Sequence, residues 1–224
     1  MARMHGVAGE WARVKGTVWG LWPIFLGVFV AGFAAALSLT VRLWGAALLA
    51  AALIFVSWSL VRGLRHVERY FKGARGEEKV SGLLQDLPDA YHVFNDFVAG
   101  RHHVDHVVAG PAGVFAIETK FWRGAVTVEE GHILLNGQLP DRSPLQQASR
   151  EADLVKAELR RKGWEGSVTP VLVFASDTFE AKIAEIHGVV VLNSNHLCRS
   201  FDTERVVIPP VELERLVRMM DMND

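Results

Sequence analysis

Two long stretches near the N-terminus carry no charged residue, and they constrain the fold of this chain more than any other feature. The first runs from Val18 to Val41 and the second from Leu43 to Val61, with Arg42 between them. Each stretch is close to the roughly 20 apolar residues that a helix needs to cross a lipid bilayer. The sequence therefore predicts a transmembrane helical hairpin over residues 18–61, preceded by a short cytoplasmic segment at 1–17.

A secretory signal peptide is the alternative interpretation of the first stretch, because small residues follow Phe33. The apolar core of a signal peptide is only about 7 to 15 residues long, however, and this stretch is longer. The second apolar stretch follows at once, which also favours a hairpin. Neither stretch contains an acidic residue, so we interpret the hairpin as an anchor, with self-association as an alternative role.

Basic residues flank the hairpin at both of its outer ends. Arg3, Arg13 and Lys15 precede the first stretch and five basic residues lie between 62 and 75, whereas Arg42 is alone at the turn. Positive residues are enriched on the cytoplasmic side of membrane proteins. We therefore expect a multi-pass protein of the cell (inner) membrane with both termini in the cytoplasm, and the single Cys198 agrees with a reducing compartment.

The chain after the hairpin alternates between helical and strand patterns. A linker helix is predicted at 62–72, and the apolar spacing that follows predicts a helix from about Gly76 to Asp86. Short β-rich runs bounded by turn signals predict strands at 91–97, 103–110, 113–122, 125–130, 132–137, 169–176 and 188–194. A Ser-Pro pair at 143–144 is typical of a helix start, and a last helix is predicted at 211–220. This order predicts an α/β sandwich with a mixed central sheet flanked by helices over residues 73–224.

Three charged residues interrupt the apolar pattern of two neighbouring predicted strands, in HVDHVVAGPAGVFAIETK. Alternation along a strand places Glu118 and Lys120 on one face of the sheet. If the strands pair antiparallel, Asp105 lies near Glu118, and two carboxylates that close repel each other unless a proton or cation lies between them. Mg²⁺ or Mn²⁺ suits carboxylate oxygens and keeps waters for a phosphate. The pattern therefore predicts metal-assisted phosphodiester hydrolysis, with Lys120 at the attacking water.

Four separated motifs together resemble a known family. They are RGEEKV, HVDHVVAG, GVFAIETKFWRGAV and SPLQQA, in this order. The combination is similar to the nuclease-related domain, NERD, of the PD-(D/E)xK nuclease superfamily, and the resemblance covers about Gly73 to Ala175. It implies a restriction-endonuclease-like fold, an occurrence in bacterial proteins that often carry membrane spans, and a Mg²⁺-dependent nuclease activity.

The resemblance also implies roles for individual residues. The residues implied to be catalytic are Glu77, Asp105, Glu118, Lys120 and Gln147. Of these, Asp105 and Glu118 are implied to be metal ligands, and Lys120 the catalytic lysine. Gln146 suits the position of the family's glutamine less well than Gln147.

Structural interpretations of the same residues remain open. Glu77 would also be favourable at the start of a helix, by roughly 0.3 to 1 kcal/mol. Lys120 could neutralise the neighbouring carboxylates in a purely structural ion pair. A cluster of histidines suggests zinc, although strand alternation divides its members between two faces; they are His102, His103 and His106.

The charge balance is not that of a strong nucleic-acid binder. From Arg62 onward there are 20 basic and 24 acidic residues, a net charge of 20 − 24 = −4. A basic run at 156–162 either contacts phosphates or faces solvent. The expected function is a membrane-anchored nuclease that uses Mg²⁺ or Mn²⁺, with DNA as the expected substrate and the lipid bilayer as a partner. The alternative is a catalytically silent module that binds nucleic acid or protein at the membrane.

Overall fold

The computed structural model describes residues 1–38, 42–176, 179, 183–201 and 206–221. The chain divides into two compact units, one of Trp11–Ala74 and the other of Met1–Glu10 together with Arg75–Asp224. The first ten residues therefore belong to the same unit as the long C-terminal part, although the apolar stretches separate them in sequence.

Two apolar helices make up the described part of the unit Trp11–Ala74. Helix α1 spans Glu10–Ser38, and helix α2 begins at Arg42 and ends at Leu84. The helices approach each other closely where both lack side chains, since a Cβ on Gly63 would lie 2.5 Å from the carbonyl oxygen of Gly20. Two segments, Glu10–Leu37 and Ala46–Leu64, are long and apolar enough to cross a membrane. They suggest that the protein associates with a membrane.

The predicted spans, Val18 to Val41 and Leu43 to Val61, fall on these two helices, although residues 39–41 lie outside the described part of the chain. Helix α2 differs from the prediction in being continuous. It runs through the predicted linker helix at 62–72 and through most of the helix predicted from about Gly76 to Asp86. No proline occurs between residues 42 and 84, so no backbone amide is missing where the helix would have to stop.

Nine strands lie in the part of the chain that the structure describes. They are β1 Arg3–His5, β2 His92–Ala99, β3 His102–Gly110, β4 Gly113–Lys120, β5 Val126–Glu129, β6 His132–Leu135, β7 Val168–Phe174, β8 Ile183–Ile186 and β9 Val189–Asn193. Seven of these described strands form one mixed sheet in the order β1-β2-β3-β4-β7-β9-β8. Strands β2, β3 and β4 form an antiparallel meander, while β4, β7 and β9 run parallel. Strands β5 and β6 form a separate hairpin.

Helices cover both faces of this sheet. The remaining helices are α3 Pro144–Arg161, α4 Leu197–Ser200 and α5 Pro210–Asp221. On one face, Val107 of β3 and Ala116 of β4 share a buried core with Val155 of α3. On the other face, Ile117 of β4 shares a core with Leu84 of α2. The predicted α/β sandwich with a mixed central sheet is therefore confirmed, as is the apolar hairpin that precedes it.

Two strands were not predicted from the sequence. Strand β1 pairs parallel with β2, with Arg3 beside His92 and His5 beside Phe94. Three residues are too few to show an alternating pattern, so the pairing is visible in the fold alone. Strand β8 is another short edge strand, of four residues, and it pairs antiparallel with β9. The N-terminal segment predicted at 1–17 is thus divided between the edge of the sheet and the start of α1.

Candidate functional site

Strands β3 and β4 bring the three predicted charges together at one end of their ladder. The last paired residues are His106 and Ile117, so the next residues along the two strands, Asp105 and Glu118, follow at the same end. The backbone N–H of Thr119 donates a hydrogen bond of 2.8 Å to Oδ2 of Asp105. This antiparallel pairing places both carboxylates on the sheet face that α3 covers.

Lys120 links the two strands to helix α3. Its ammonium group donates to Oε1 of Glu118, and it donates a second hydrogen bond of 2.8 Å to Oε1 of Gln147. Helix α3 begins at Pro144 after Ser143, whose hydroxyl accepts from the backbone N–H of Gln146. Gln147 therefore lies in the first turn and faces the sheet, whereas the Gln146 side chain is exposed.

Glu151 belongs to the same cluster, and the sequence reasoning missed it. It lies one helical turn after Gln147, whose Nε2 donates a hydrogen bond of 3.0 Å to Oε1 of Glu151. The other oxygen, Oε2, is enclosed and has no hydrogen-bond donor among the described residues. Burial raises the pKa of Glu151 to about 9, and the adjacent carboxylate of Glu118 adds to the effect. The spacing of four residues after Gln147 was the signal that could have identified it.

Asp105 experiences the combined charge of this cluster. Burial raises the pKa of Asp105 well above its ordinary value, and the carboxylates of Glu118, Glu77 and Glu151 raise it further. The hydrogen bond from Thr119 acts in the opposite direction. Glu77, near the C-terminal end of α2, is 9% exposed. Glu118, Glu77 and Glu151 therefore form one acidic cluster with Asp105.

The surroundings of Lys120 favour its charged form. Burial alone would lower the pKa of Lys120, but attraction to Glu118 and the hydrogen bond between them raise it, with smaller contributions from Asp105 and Glu151. The ammonium form is therefore favoured in the protein. Glu118 is 3% exposed, so this ammonium neutralises a carboxylate that has almost no contact with water.

The chemistry of the donors fits a hard divalent cation. Several carboxyl groups surround Lys120, and the raised pKa values of Asp105 and Glu151 favour their protonated forms when no cation is bound. A divalent cation can replace these protons. Such oxygen donors suit Mg²⁺ and Mn²⁺. No group of three His, Cys, Asp or Glu side chains within the described ranges is arranged to hold a metal ion. Among the described residues, the Lys120 ammonium therefore holds this cluster together by donating hydrogen bonds to Glu118 and Gln147.

The histidines near Asp105 do not form a common site. His106 is fully buried, and its Nδ1 lies 2.8 Å from Oδ1 of Asn95 on the neighbouring strand. Burial lowers the pKa of His106 to about 3, so the ring is neutral at ordinary pH. His102 and His103 instead line a cleft beside α3. Within the part of the chain that is described, no cluster of these residues supports the zinc interpretation.

We expect Glu151→Gln to flatten the pH dependence of stability in chelator-treated protein. The folded protein retains the Glu151 proton up to a pH of about 9, whereas the unfolded chain loses it near 4.5. Because the folded state binds the extra proton within this window, the wild-type free energy of unfolding falls as pH rises through it. At pH 8 the variant should be more stable than wild type, by an amount of the order of a few kcal/mol.

Urea unfolding at acidic and alkaline pH, followed by circular dichroism, measures this difference. The matched control is Glu129→Gln, because Glu129 is an exposed carboxylate on β5 and should keep the wild-type profile. If Glu151→Gln also keeps the wild-type profile, Glu151 does not hold a proton in the folded protein.

Comparison with known proteins identifies a domain within the chain. Residues 72–175, just under half of the chain, match the family model of the nuclease-related domain, NERD. The resemblance predicted from the motifs over about Gly73 to Ala175 is therefore confirmed. A search of curated proteins found no match.

The chain is also similar to one solved structure, that of protein VC1899 from Vibrio cholerae, at 12% sequence identity and a TM-score of 0.26. The match covers 96% of this chain and 56% of that protein, so the chain spans little more than half of its length. A similarity this weak supports no argument about fold or function.

Proposed function

The chain carries a nuclease-related domain at residues 72–175, and from this premise we propose that it is a membrane-anchored nuclease that hydrolyses phosphodiester bonds in DNA with Mg²⁺ or Mn²⁺. The observation that carries the proposal is the cluster of carboxylates around Lys120, in which Asp105 and Glu118 share one face at the end of two paired strands. Burying so many acidic groups together is costly for stability. That cost is explained if the cluster serves a cation and a phosphate.

Asp105 and Glu118 would hold the divalent cation, and the enclosed oxygen of Glu151 supplies a further donor of the same chemistry. When bound, the cation provides Lewis-acid polarisation of a phosphoryl oxygen and lowers the pKa of a bound water. Glu77 would support the cluster from α2. Carboxyl groups this close together favour a cation between them, because without it protons must relieve their mutual repulsion. The bound cation would also offset the repulsion between these carboxylates and a phosphate.

Lys120 would stabilise negative charge on the reacting phosphate and orient the attacking water. Its raised pKa favours the ammonium form, which donates hydrogen bonds and carries positive charge, and this supports electrostatic assistance rather than proton abstraction. Gln147 holds the ammonium by accepting a hydrogen bond of 2.8 Å. The helix thereby positions a strand residue, and we assign Gln147 a positioning role.

The fold also supports placing the residues before the hairpin and the sheet after it on the same side of the membrane. The residues before the apolar hairpin form strand β1, which pairs with β2 of the sheet that carries the cluster. If the hairpin crosses a membrane twice, β1 and the sheet are on the same side. Together with the basic residues outside the hairpin, this supports a site that faces the cytoplasm.

A catalytically silent module is the second candidate, and one observation favours it. Lys120, Glu118, Gln147 and Glu151 form a connected set of polar contacts without any metal. Such a network could be structural, with nucleic acid or protein bound elsewhere on the surface. The two candidates differ in their response to a divalent cation.

The test uses the full chain in detergent micelles with labelled DNA and RNA, single-stranded and double-stranded, in Mg²⁺, in Mn²⁺ or in EDTA. We expect DNA cleavage that requires the cation. Thermal unfolding should also rise with cation concentration, since a ligand at 100 times its Kd stabilises the folded state by about 2.7 kcal/mol. If no substrate is cut and the unfolding temperature does not respond to either cation, the silent module is the better description.

A further inference from the structure

An open cleft lies beside the carboxylate cluster. Its volume is about 530 Å³, and it lies between the beginning of β3 and the first half of α3. Gln147 and Glu151 belong to its lining. Because the Gln147 side chain contacts both Lys120 and Glu151, the cleft is continuous with the candidate site.

The cleft is rich in groups that bind phosphate. Arg142 and Arg150 line it, and so do His102 and His103 at the start of β3. Both arginine side chains are exposed, and neither forms an ion pair or a hydrogen bond with another described residue. Asp141 also lines the cleft, and it is the acidic residue there besides Glu151. A guanidinium group matches two phosphate oxygens at once, which makes arginine well suited to a nucleic-acid backbone.

These arginines stand out against the charge of the domain. The chain from Arg62 onward has a net charge of 20 − 24 = −4, so its overall charge does not attract nucleic acid. A local pair of arginines at the mouth of the candidate site provides attraction where a substrate must enter. The low overall charge then limits affinity without preventing binding at this place.

The other basic surface of α3 is less well placed. Lys156 and Arg160 are exposed and line a separate depression of about 230 Å³ with Trp164. None of the residues around that depression belongs to the carboxylate cluster. Arg160 is nine residues beyond Glu151, about 13 Å along the helix axis, whereas Arg150 is adjacent to Glu151 in the chain.

We propose that the cleft lined by Arg142 and Arg150 binds the phosphodiester backbone of a nucleic-acid strand and leads it to the carboxylate cluster. This inference rests on the proposed nuclease function, and it identifies the surface that the substrate uses. His102 and His103 line the same cleft. The basic residues at 156 and 160 are not part of this surface.

The test measures binding without cleavage. The full chain in detergent micelles is titrated against fluorescein-labelled single-stranded and double-stranded DNA in EDTA, and anisotropy gives the Kd. The double variant Arg142→Glu/Arg150→Glu should weaken binding at least about tenfold and reduce the slope of log Kd against log salt by about two. The matched control, Lys156→Glu/Arg160→Glu, changes the net charge of the protein by the same amount and should stay within about threefold of wild type.

Both pairs are exposed, so thermal unfolding should not change and serves as the folding check. The inference is overturned if the Arg142/Arg150 variant binds as wild type, if the control variant loses as much affinity, or if the wild-type protein binds neither DNA. Cleavage with Mg²⁺ is measured on the same variants. If wild type cleaves DNA and the double variant has an unaltered KM, the cleft proposal is rejected and the nuclease proposal stands. If binding depends on the arginines but no DNA is cleaved, the nuclease proposal is rejected and the cleft proposal stands.

Discussion

Asp105→Asn is expected to abolish DNA cleavage while leaving the protein at least as stable as wild type. Asparagine has nearly the same shape as aspartate, and its carbonyl oxygen can still accept the hydrogen bond from Thr119 N–H that Asp105 accepts at 2.8 Å. The substitution removes one of several mutually repelling carboxylates. The cleavage rate should fall by about a thousandfold or more, because a cation ligand contributes several kcal/mol to stabilising the transition state.

Measuring both cleavage and stability distinguishes a role of the Asp105 charge in cation binding from a role in stabilising the fold. If the charge of Asp105 were present for stability, its removal would lower the unfolding temperature. If it is present for a cation, stability without metal is kept or gained, and the gain in unfolding temperature on adding Mn²⁺ is lost. Asp153→Asn is the matched control, since Asp153 is exposed on α3 and its substitution should change neither quantity. If Asp105→Asn cleaves DNA as fast as wild type, Asp105 is not a catalytic residue.

Local patterns were sufficient to predict the central strands of the sheet and the charged residues that these strands contribute to the cluster. Alternation along β3 and β4 placed Asp105, Glu118 and Lys120 on one side, and the structure has Val107 and Ala116, which share that parity, in the core beneath α3. The Ser-Pro start of α3 placed Gln147 in the first turn. Each of these predictions depends on spacing within a single element or across one short turn.

The missed features depend on contacts between distant parts of the chain. Strand β1 is defined by its pairing with β2, almost ninety residues away, as the partners Arg3 and His92 show. The local signal for Glu151, its spacing of four residues from Gln147, is weak, because an acidic residue on an amphipathic helix is ordinarily solvated. Its role becomes visible when α3 packs on the sheet and encloses its Oε2. The prediction divided α2 at its change from apolar to polar residues near position 62 and again before Gly76. Neither the change in polarity nor the glycines at 63, 73 and 76 end the helix, since glycine weakens a helix by only about 1 kcal/mol.

Lys120→Met is expected to lower the free energy of unfolding by about 3 to 5 kcal/mol in the absence of metal, because it leaves a buried carboxylate without its cation. Glu118 is 3% exposed, and the Lys120 ammonium donates to its Oε1. The double variant Glu118→Gln/Lys120→Met removes both charges and should recover most of the lost stability. Urea unfolding of the wild type, the two single variants and the double variant gives the coupling energy of the pair.

The rate of DNA cleavage and the free energy of unfolding should not change in parallel across these four proteins. The double variant is expected to fold nearly as well as wild type and to cut no DNA, and Mn²⁺ should no longer raise its unfolding temperature. A stable double variant that still gains stability from Mn²⁺ would show that the cation does not use Glu118. A Lys120→Met protein as stable and as active as wild type would contradict both the buried ion pair and the electrostatic role of the ammonium. Four proteins and two measurements thereby distinguish the metal-binding interpretation of this pair from the structural one, both of which the strand pattern alone leaves open.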